Sequence, residues 1–214
     1  MQNRSDRLRP VAIWLFAMCA LIGLMVIVGG ATRLTDSGLS IVEWRPVTGA
    51  VPPLNDADWL AEFGKYKSIP EYSEVNWGMS IEEFKQIYWL EWGHRFLGRL
   101  IGLAFLLPLF YFAATRRIDR SLGVRLAGLF VLGGAQGALG WWMVSSGLTE
   151  RVDVSQYRLA AHLALAVALY AAIFWIALDL VSRRRERGFS LAPFAFALAT
   201  AVYLQMILGA FVAG

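Results

Sequence analysis

Five long apolar segments constrain the fold of this 214-residue chain more than any other feature. Hydrophobic residues make up 57% of the sequence, and each segment reaches the roughly 20 residues that a helix needs to cross a bilayer. The segments lie at about 11–30, 88–114, 126–145, 159–181 and 191–214. The first four can form a bundle with short connections at two of its three links. The sequence therefore predicts an all-α, polytopic membrane protein with a four-helix transmembrane bundle, a fifth helix and a partly helical outer loop.

The first apolar segment follows Arg4, Arg7 and Arg9, an arrangement that resembles a signal peptide. Its apolar run is longer than the roughly 7–15 residues of a signal sequence, and no small-residue cleavage site stands out. We therefore expect a helix that is retained in the protein.

Basic residues cluster at one set of helix ends, which predicts the orientation of the chain. They lie near the N-terminus, in the 116–125 loop and in the 183–187 loop (Arg4, Arg7, Arg9; Arg116, Arg117, Arg120, Arg125; Arg183, Arg184, Arg185, Arg187). The positive-inside rule places these segments and the N-terminus in the cytoplasm. The 31–87 and 146–158 connections then face outward. Because this bias accounts for the net charge of +4, we expect membrane lipid as a partner and no nucleic acid.

The outer loop must be ordered without an internal disulfide, because Cys19 is the only cysteine and lies within a predicted helix. Residues 56–63 and 80–84 are each predicted to form a short capped helix, the second with a Ser-x-x-Glu capping box. Several tryptophans are expected to lie at the outer membrane interface (Trp44, Trp59, Trp77, Trp89, Trp92).

His94 and His162 are the only histidines, and both lie shortly inside apolar segments that begin on the same side. A histidine within a membrane helix is costly unless a partner uses it. Taken singly, each is best explained as a polar residue bonded to a neighbouring helix. Their matched depth instead predicts two axial ligands that hold one haem iron from opposite faces.

Two residues near His94 share its predicted helix face. Glu91 precedes it by three residues, and Gly98 follows it by one turn. The Gly98-x-x-x-Gly102 pattern fits either a flat strip beside a porphyrin or a helix-packing seam. Glu91 suits a catalyst that moves protons at the edge of the macrocycle, although a buried glutamate can also be a structural hydrogen-bond partner.

Three arginines are candidates for binding the carboxylates of such a ligand. Arg158 lies one turn outward from His162 and could hold a carboxylate or reach lipid headgroups. Arg95 and Arg99 follow His94. We expect Arg99 to lie within the bilayer and to pair with Glu91, a ligand carboxylate or a backbone carbonyl.

Two further patterns concern the organisation of the chain. The glycine-containing segment 29–40 predicts a tight turn whose backbone could approach a ligand closely. Gln136-x-x-Leu-Gly-x-x-Met is repeated as Gln205-x-x-Leu-Gly-x-x-Val, which suggests a duplicated bundle. The chain stops at Gly214 within an apolar run, so we expect a truncated sequence.

The combined motifs resemble the haem A synthase family, in its proteobacterial and mitochondrial-type branch. They are Gly-Gly-Ala-Thr-Arg-Leu-Thr-Asp-Ser-Gly-Leu-Ser at 29–40, Glu-Trp-Gly-His-Arg at 91–95, Gln-Gly-Ala-Leu-Gly-Trp-Trp-Met-Val at 136–144, Arg-Leu-Ala-Ala-His-Leu at 158–163 and Leu-Gly-Ala-Phe-Val-Ala-Gly at 208–214. Some members carry a cysteine pair in the first outer loop, which this chain lacks.

The resemblance implies an oxidoreductase with eight membrane helices in two similar halves. The first half would bind haem O through His94 and His162, with Glu91 as the acidic residue required for catalysis. A ring methyl of haem O would be oxidised, through an alcohol, to the formyl group of haem A for cytochrome oxidase. The second half would bind a haem b cofactor.

On this reading, residues 1–190 form the haem-binding half and 191–214 begin the second half, so the chain is expected to be an incomplete enzyme. The resemblance also implies the cell inner membrane and haem O synthase as donor partner, and it leaves homo-oligomerisation open. The alternatives are a bis-histidine cytochrome b that transfers electrons, and a haem-handling or assembly protein without turnover.

Overall fold

The computed structural model describes residues 4–182 and 192–213, with side chains from Arg7 onwards. All regular secondary structure in these ranges is helical. The helices are α1 (Arg4–Leu34), α2 (Asp56–Tyr66), α3 (Pro70–Glu74), α4 (Ile81–Ala114), α5 (Arg120–Val144), α6 (Gln156–Val181) and α7 (Ala192–Ala213), with a 3-10 turn at Thr48–Ala50. The basic 183–187 loop and Gly214 lie outside the described residues.

Five helices, α1 and α4 to α7, are long and apolar enough to cross a membrane. The chain is therefore a multi-pass membrane protein, as the sequence predicts. The separation of a short helix at 80–84 from a span beginning at 88 is wrong, because both belong to α4. The Ser80 capping box is present and starts this helix, and no glycine or proline follows to interrupt it before Tyr88.

The predicted turn at 29–40 begins later than expected. Gly29 and Gly30 lie within α1, which continues to Leu34, and the chain turns at Asp36, whose φ is 48°. The cost of a glycine within a helix is only about 1 kcal/mol, so the apolar run before these glycines carries the helix through them.

Four membrane helices form a closed bundle in which α4 and α6 lie diagonally. Helix α1 packs against α4 and α6, and α5 packs against the same two helices. Helix α7 packs on α6. One end of the bundle has an apolar core that includes Leu8 near the N-terminus and Ile118 from the α4–α5 connection. The N-terminus and the 116–125 loop therefore lie at the same end, as the charge pattern predicts.

The opposite end carries an outer domain made from the α1–α4 connection, the start of α4 and the α5–α6 connection. Its core is aromatic, with Tyr66 and Phe84 fully buried. Val154, from the α5–α6 connection, belongs to the same core. Trp59, expected at the membrane interface, also lies in it and is 8% exposed. The two connections predicted to face outward therefore lie together.

The outer domain also buries one carboxyl group. Glu71 in α3 is 3% exposed, and its Oε2 has no hydrogen-bond partner among the described residues. Burial, the largest cause, and the negative charges of Glu91, Asp36 and Asp153 together raise the pKa of Glu71 to about 8, while a hydrogen bond with Tyr66 opposes the shift. Glu71 is therefore a neutral acid at pH 7.

Candidate functional site

The two histidines lie on the diagonal helices of the bundle, His94 on α4 and His162 on α6. Both residues are half-buried. Each ring faces the backbone of a glycine on a neighbouring helix. A Cβ atom added to Gly29 of α1 would lie 3.1 Å from Nε2 of His94, and one added to Gly140 of α5 would lie 2.9 Å from Cε1 of His162. Both rings therefore occupy space that a side chain at these positions would fill.

The positions of these glycines give the depth of the two rings. Gly29 lies five residues before α1 ends at Leu34, and Gly140 lies four residues before α5 ends at Val144. At about 1.5 Å per residue, both lie about 6–8 Å below the outer ends of their helices. This agrees with the matched depth expected from the sequence, whereas ligation of an iron stays a prediction.

The surroundings of the two rings differ. The Nε2 amide nitrogen of Gln136 donates to the backbone carbonyl of His162 at 2.9 Å, and it lies 3.2 Å from Nδ1 and 3.4 Å from Nε2 of the ring. The ring of His94 makes no hydrogen bond within residues 4–182 and 192–213. Below His94, the Cε methyl of Met25 lies 3.1 Å from where a Cβ of Gly98 would be. Gly98 is thus a packing position for α1 in this structure.

Glu91 is 2% exposed and connects α4 to the outer loop. Its Oε2 accepts hydrogen bonds from the hydroxyl of Ser40 at 2.7 Å and from the backbone N–H of Ile41 at 2.8 Å. Its Oε1 accepts a hydrogen bond from Arg95, one turn further along α4. The carboxylate therefore holds the loop directly above the histidine site.

The three candidate arginines donate to backbone carbonyls, and two of them also bond side chains. Besides Glu91, Arg95 donates to the carbonyls of Glu43 and Ile41. Arg99 donates to the carbonyls of Pro46 and Arg45 at 2.8 Å each, so of its three expected partners the structure shows the backbone carbonyl. Arg158 donates to the carbonyl of Trp142 at 2.7 Å and lies 4.6 Å from its ring centroid. Each arginine thus fixes a loop or a helix end at the outer side.

A cavity of about 360 Å³ lies between the outer loop and α4. Arg95 and Arg99 line it, and the Nη1 atom of Arg99 is buried without a hydrogen-bond partner among the described residues. Arg45 and Lys65 also line the cavity, but both form ion pairs with Glu43. Arg95 pairs with Glu91. Arg99 is therefore the basic side chain of this lining that has no carboxylate partner among the described residues.

Four residues that contribute to the site were not singled out as site residues in the sequence. Gly140 and Gln136 belong to the motif that the chain repeats around Gln205, and this repetition was the available signal. Gly29 and Ser40 lie in the segment predicted to approach a ligand. No pattern along the chain connects Ser40 with Glu91, because 51 residues separate them.

The chain is similar to several curated proteins named "Heme A synthase". It is 59% identical over 205 residues to that of Parvibaculum lavamentivorans, which covers 95% of this chain and 60% of the relative. It is 54% identical over 213 residues to that of Nitrosospira multiformis, with 96% and 59% coverage. It is 63% identical over 172 residues to that of Azorhizobium caulinodans, with 80% and 49% coverage.

The chain thus spans at most 60% of the length of these three relatives. No solved structure matches it. The family model described as COX15-CtaA, cytochrome oxidase assembly protein, matches residues 12–214. The match includes every candidate site residue, and so the chain belongs to the COX15-CtaA family of cytochrome oxidase assembly proteins.

Proposed function

We propose that this chain binds haem O between His94 and His162 and acts in the oxidation of a ring methyl of that haem to the formyl group of haem A. The observation that supports this most is the diagonal placement of the two histidines, each facing a glycine backbone at a similar depth. A flat macrocycle held by both imidazoles needs two opposed rings and little side-chain bulk beside them. The residues present fit this group.

The iron of a bound haem would supply two axial coordination sites, and the chain would supply the two imidazoles. The arginines would orient the haem by its propionates. Arg99 is the best placed to bind one, because its Nη1 has no partner among the described residues and the lining of the adjacent cavity is partly basic. Arg95 and Arg158 would hold the outer loop and the end of α5 over the macrocycle, and Gly98 would keep α4 close to α1.

Glu91 is the residue we assign to proton transfer. A carboxylate offers about four acceptor sites, and Ser40, Ile41 and Arg95 use three of them. One remains for a proton that leaves the substrate as the methyl is oxidised. Glu91 lies three residues from His94, on the same helix face.

The family's description as a cytochrome oxidase assembly protein supports a role in the assembly of that oxidase. We place this function in cytochrome oxidase assembly, with haem O synthase as the donor of haem O. Residues 191–214 would begin a second half, and a haem b would bind in the part of that half that this chain does not cover. We propose that the N-terminus lies in the cytoplasm, which the positive-inside rule supports, and that the chain lies in the cell inner membrane, which the family's description as an oxidase assembly protein supports.

The test is to purify the chain, add haem O, and record both the optical spectrum and the identity of the extracted pigment. We expect a low-spin spectrum of a haem with two histidine ligands. His94→Ala and His162→Ala should each abolish it, whereas Gln205→Ala, in α7, should leave it unchanged. Absence of haem binding by the wild type, or a low-spin spectrum that survives either histidine substitution, would refute the site.

The pigment distinguishes an enzyme from a passive haem protein. In the presence of the remaining part of a relative, haem bearing a formyl group should accumulate, and Glu91→Gln should stop this while haem stays bound. Stable low-spin binding with no formyl product under these conditions would instead favour a bis-histidine electron carrier.

A further inference from the structure

Each histidine faces a glycine on a neighbouring helix, and the two sites differ in the residue that lies one turn before that glycine. Gly29 and Gly140 face the two rings, and the residues one turn before them are Met25 and Gln136. Met25 packs its methyl against α4 at Gly98. Gln136, at the corresponding position, directs an amide at the ring and backbone of His162. One histidine therefore has an apolar neighbour where the other has a hydrogen-bond donor.

The chemistry of that donor determines what it can do. A neutral imidazole has one protonated nitrogen and one nitrogen with a free lone pair. The amide nitrogen of Gln136 lies within hydrogen-bond distance of both ring nitrogens of His162. Because an amide nitrogen only donates, it can bond only to whichever of the two carries the lone pair. A metal uses the same lone pair. An iron and the Gln136 amide cannot both occupy it.

We propose that Gln136 competes with the haem iron for the lone pair of His162, so that His162 is the exchangeable axial ligand and His94 the retained one. This inference rests on the proposed function. A haem that is a substrate must leave after reaction, and a donor that takes over the lone pair lowers the cost of breaking one iron–nitrogen bond. Gln136 acts through His162 and is therefore a positioning residue.

One contact that does not involve the ring keeps Gln136 in place for this role. Its amide nitrogen also donates to the backbone carbonyl of His162 at 2.9 Å, and this bond does not involve the ring. The amide therefore remains beside the ring whether the ring nitrogen binds iron or not. Its Oε1 is buried without a partner among the described residues, so no other contact there draws the amide away.

The test measures the rate at which haem O leaves the purified chain for an excess of apomyoglobin. Gln136→Met copies the apolar residue found on α1 and removes the donor. We expect haem loss to slow by about two- to twelve-fold, the factor that one neutral hydrogen bond supplies. Met25→Leu is the matched control and should leave the rate unchanged. Equal or faster loss from Gln136→Met, with the low-spin spectrum intact, would overturn the proposal.

Single-histidine variants provide a second test, and its first comparison does not depend on the folding of Gln136→Met. His162→Ala should retain haem O longer than His94→Ala, because only the latter leaves a ligand that faces competition. Gln136→Met should then slow haem loss in the His94→Ala background and not in the His162→Ala background, a coupling that a merely structural role would not produce. The reverse order of retention would overturn the proposal. A wild-type chain without a low-spin spectrum would refute the proposed function itself, whereas a normal spectrum with uncoupled rates would refute the role of Gln136 alone.

Discussion

Glu91→Gln should loosen the outer loop above the histidine site by a predictable amount. The glutamine carbonyl can still accept from Ser40 and Ile41, which both donate to one carboxylate oxygen. The glutamine amide would then face Arg95, a donor opposite a donor. The change removes one hydrogen bond to a charged group, worth about 1.5–3 kcal/mol. Opening of the loop at this point should therefore become about 10- to 150-fold more frequent.

Hydrogen–deuterium exchange of the segment 35–45 measures this opening directly, because the Ile41 N–H is bonded to Glu91. Glu82→Gln is the matched control on the same helix. Glu82 pairs with Lys85, but its side chain is 73% exposed, and an exposed pair contributes no more than about 1 kcal/mol. Exchange of the segment should therefore change little in this variant.

The reasoning fails if Glu91→Gln and Glu82→Gln give the same exchange in this segment. It fails equally if the increase is spread over all helices, which would indicate global destabilisation. Glu91→Ala extends the series, because it removes the carboxylate that all three donors share. Loss of one partner of a buried charge pair costs about 3–5 kcal/mol, so this variant should show the faster exchange of the two.

Two further predictions test the space around the histidines and the buried acid of the outer domain. Gly140→Ala places a methyl 2.9 Å from His162 and should weaken haem O binding about 5- to 150-fold, the effect of overpacking by about 1–3 kcal/mol. Gly30→Ala, whose added methyl meets nothing within 4 Å, should leave binding unchanged, and equal titrations of the two variants would contradict the geometry. The pKa of Glu71 is about 8 in the folded protein, against the ordinary value of 4.5 expected in the unfolded chain. The protonated carboxyl therefore stabilises the folded state fully below pH 4.5, and this contribution falls as the pH rises and is lost above about pH 8. The unfolding temperature of wild type should therefore fall between pH 6 and pH 9, Glu71→Gln should reduce this fall, and parallel curves would contradict the assignment.

The bundle could be predicted because its determinants are local. Apolar length predicts the five spans, and the clustering of basic residues predicts which connections lie together. The Ser80 capping box was also recognisable, since its two partners are three residues apart. The point at which α4 begins was missed because the polar first turns of that helix lie in the outer domain, where composition does not distinguish a loop helix from the start of a span.

The contacts of the outer loop could not be predicted, because they join residues far apart in the chain. Ser40 and Ile41 reach Glu91 across 51 and 50 residues, and Arg99 reaches Pro46 across 53. The sequence pointed to Glu91 and Arg99 as buried or costly groups without specifying their partners. Backbone carbonyls, which every residue has, leave no signal in composition.

Ser40→Ala can separate two roles of Glu91 that Glu91→Gln changes together. A proton acceptor requires the carboxylate, whereas a loop anchor requires the donors around it. Ser40→Ala removes one hydrogen bond to the charged carboxylate, worth about 1.5–3 kcal/mol, and leaves the carboxylate bonded to Ile41 and Arg95. If Glu91 accepts a proton from the substrate, formation of the formyl haem should continue in Ser40→Ala, even though exchange of the segment 35–45 rises about 10- to 150-fold. Loss of product in Ser40→Ala, with haem still bound and exchange raised, would show that the order of the loop rather than the proton-accepting group limits the reaction.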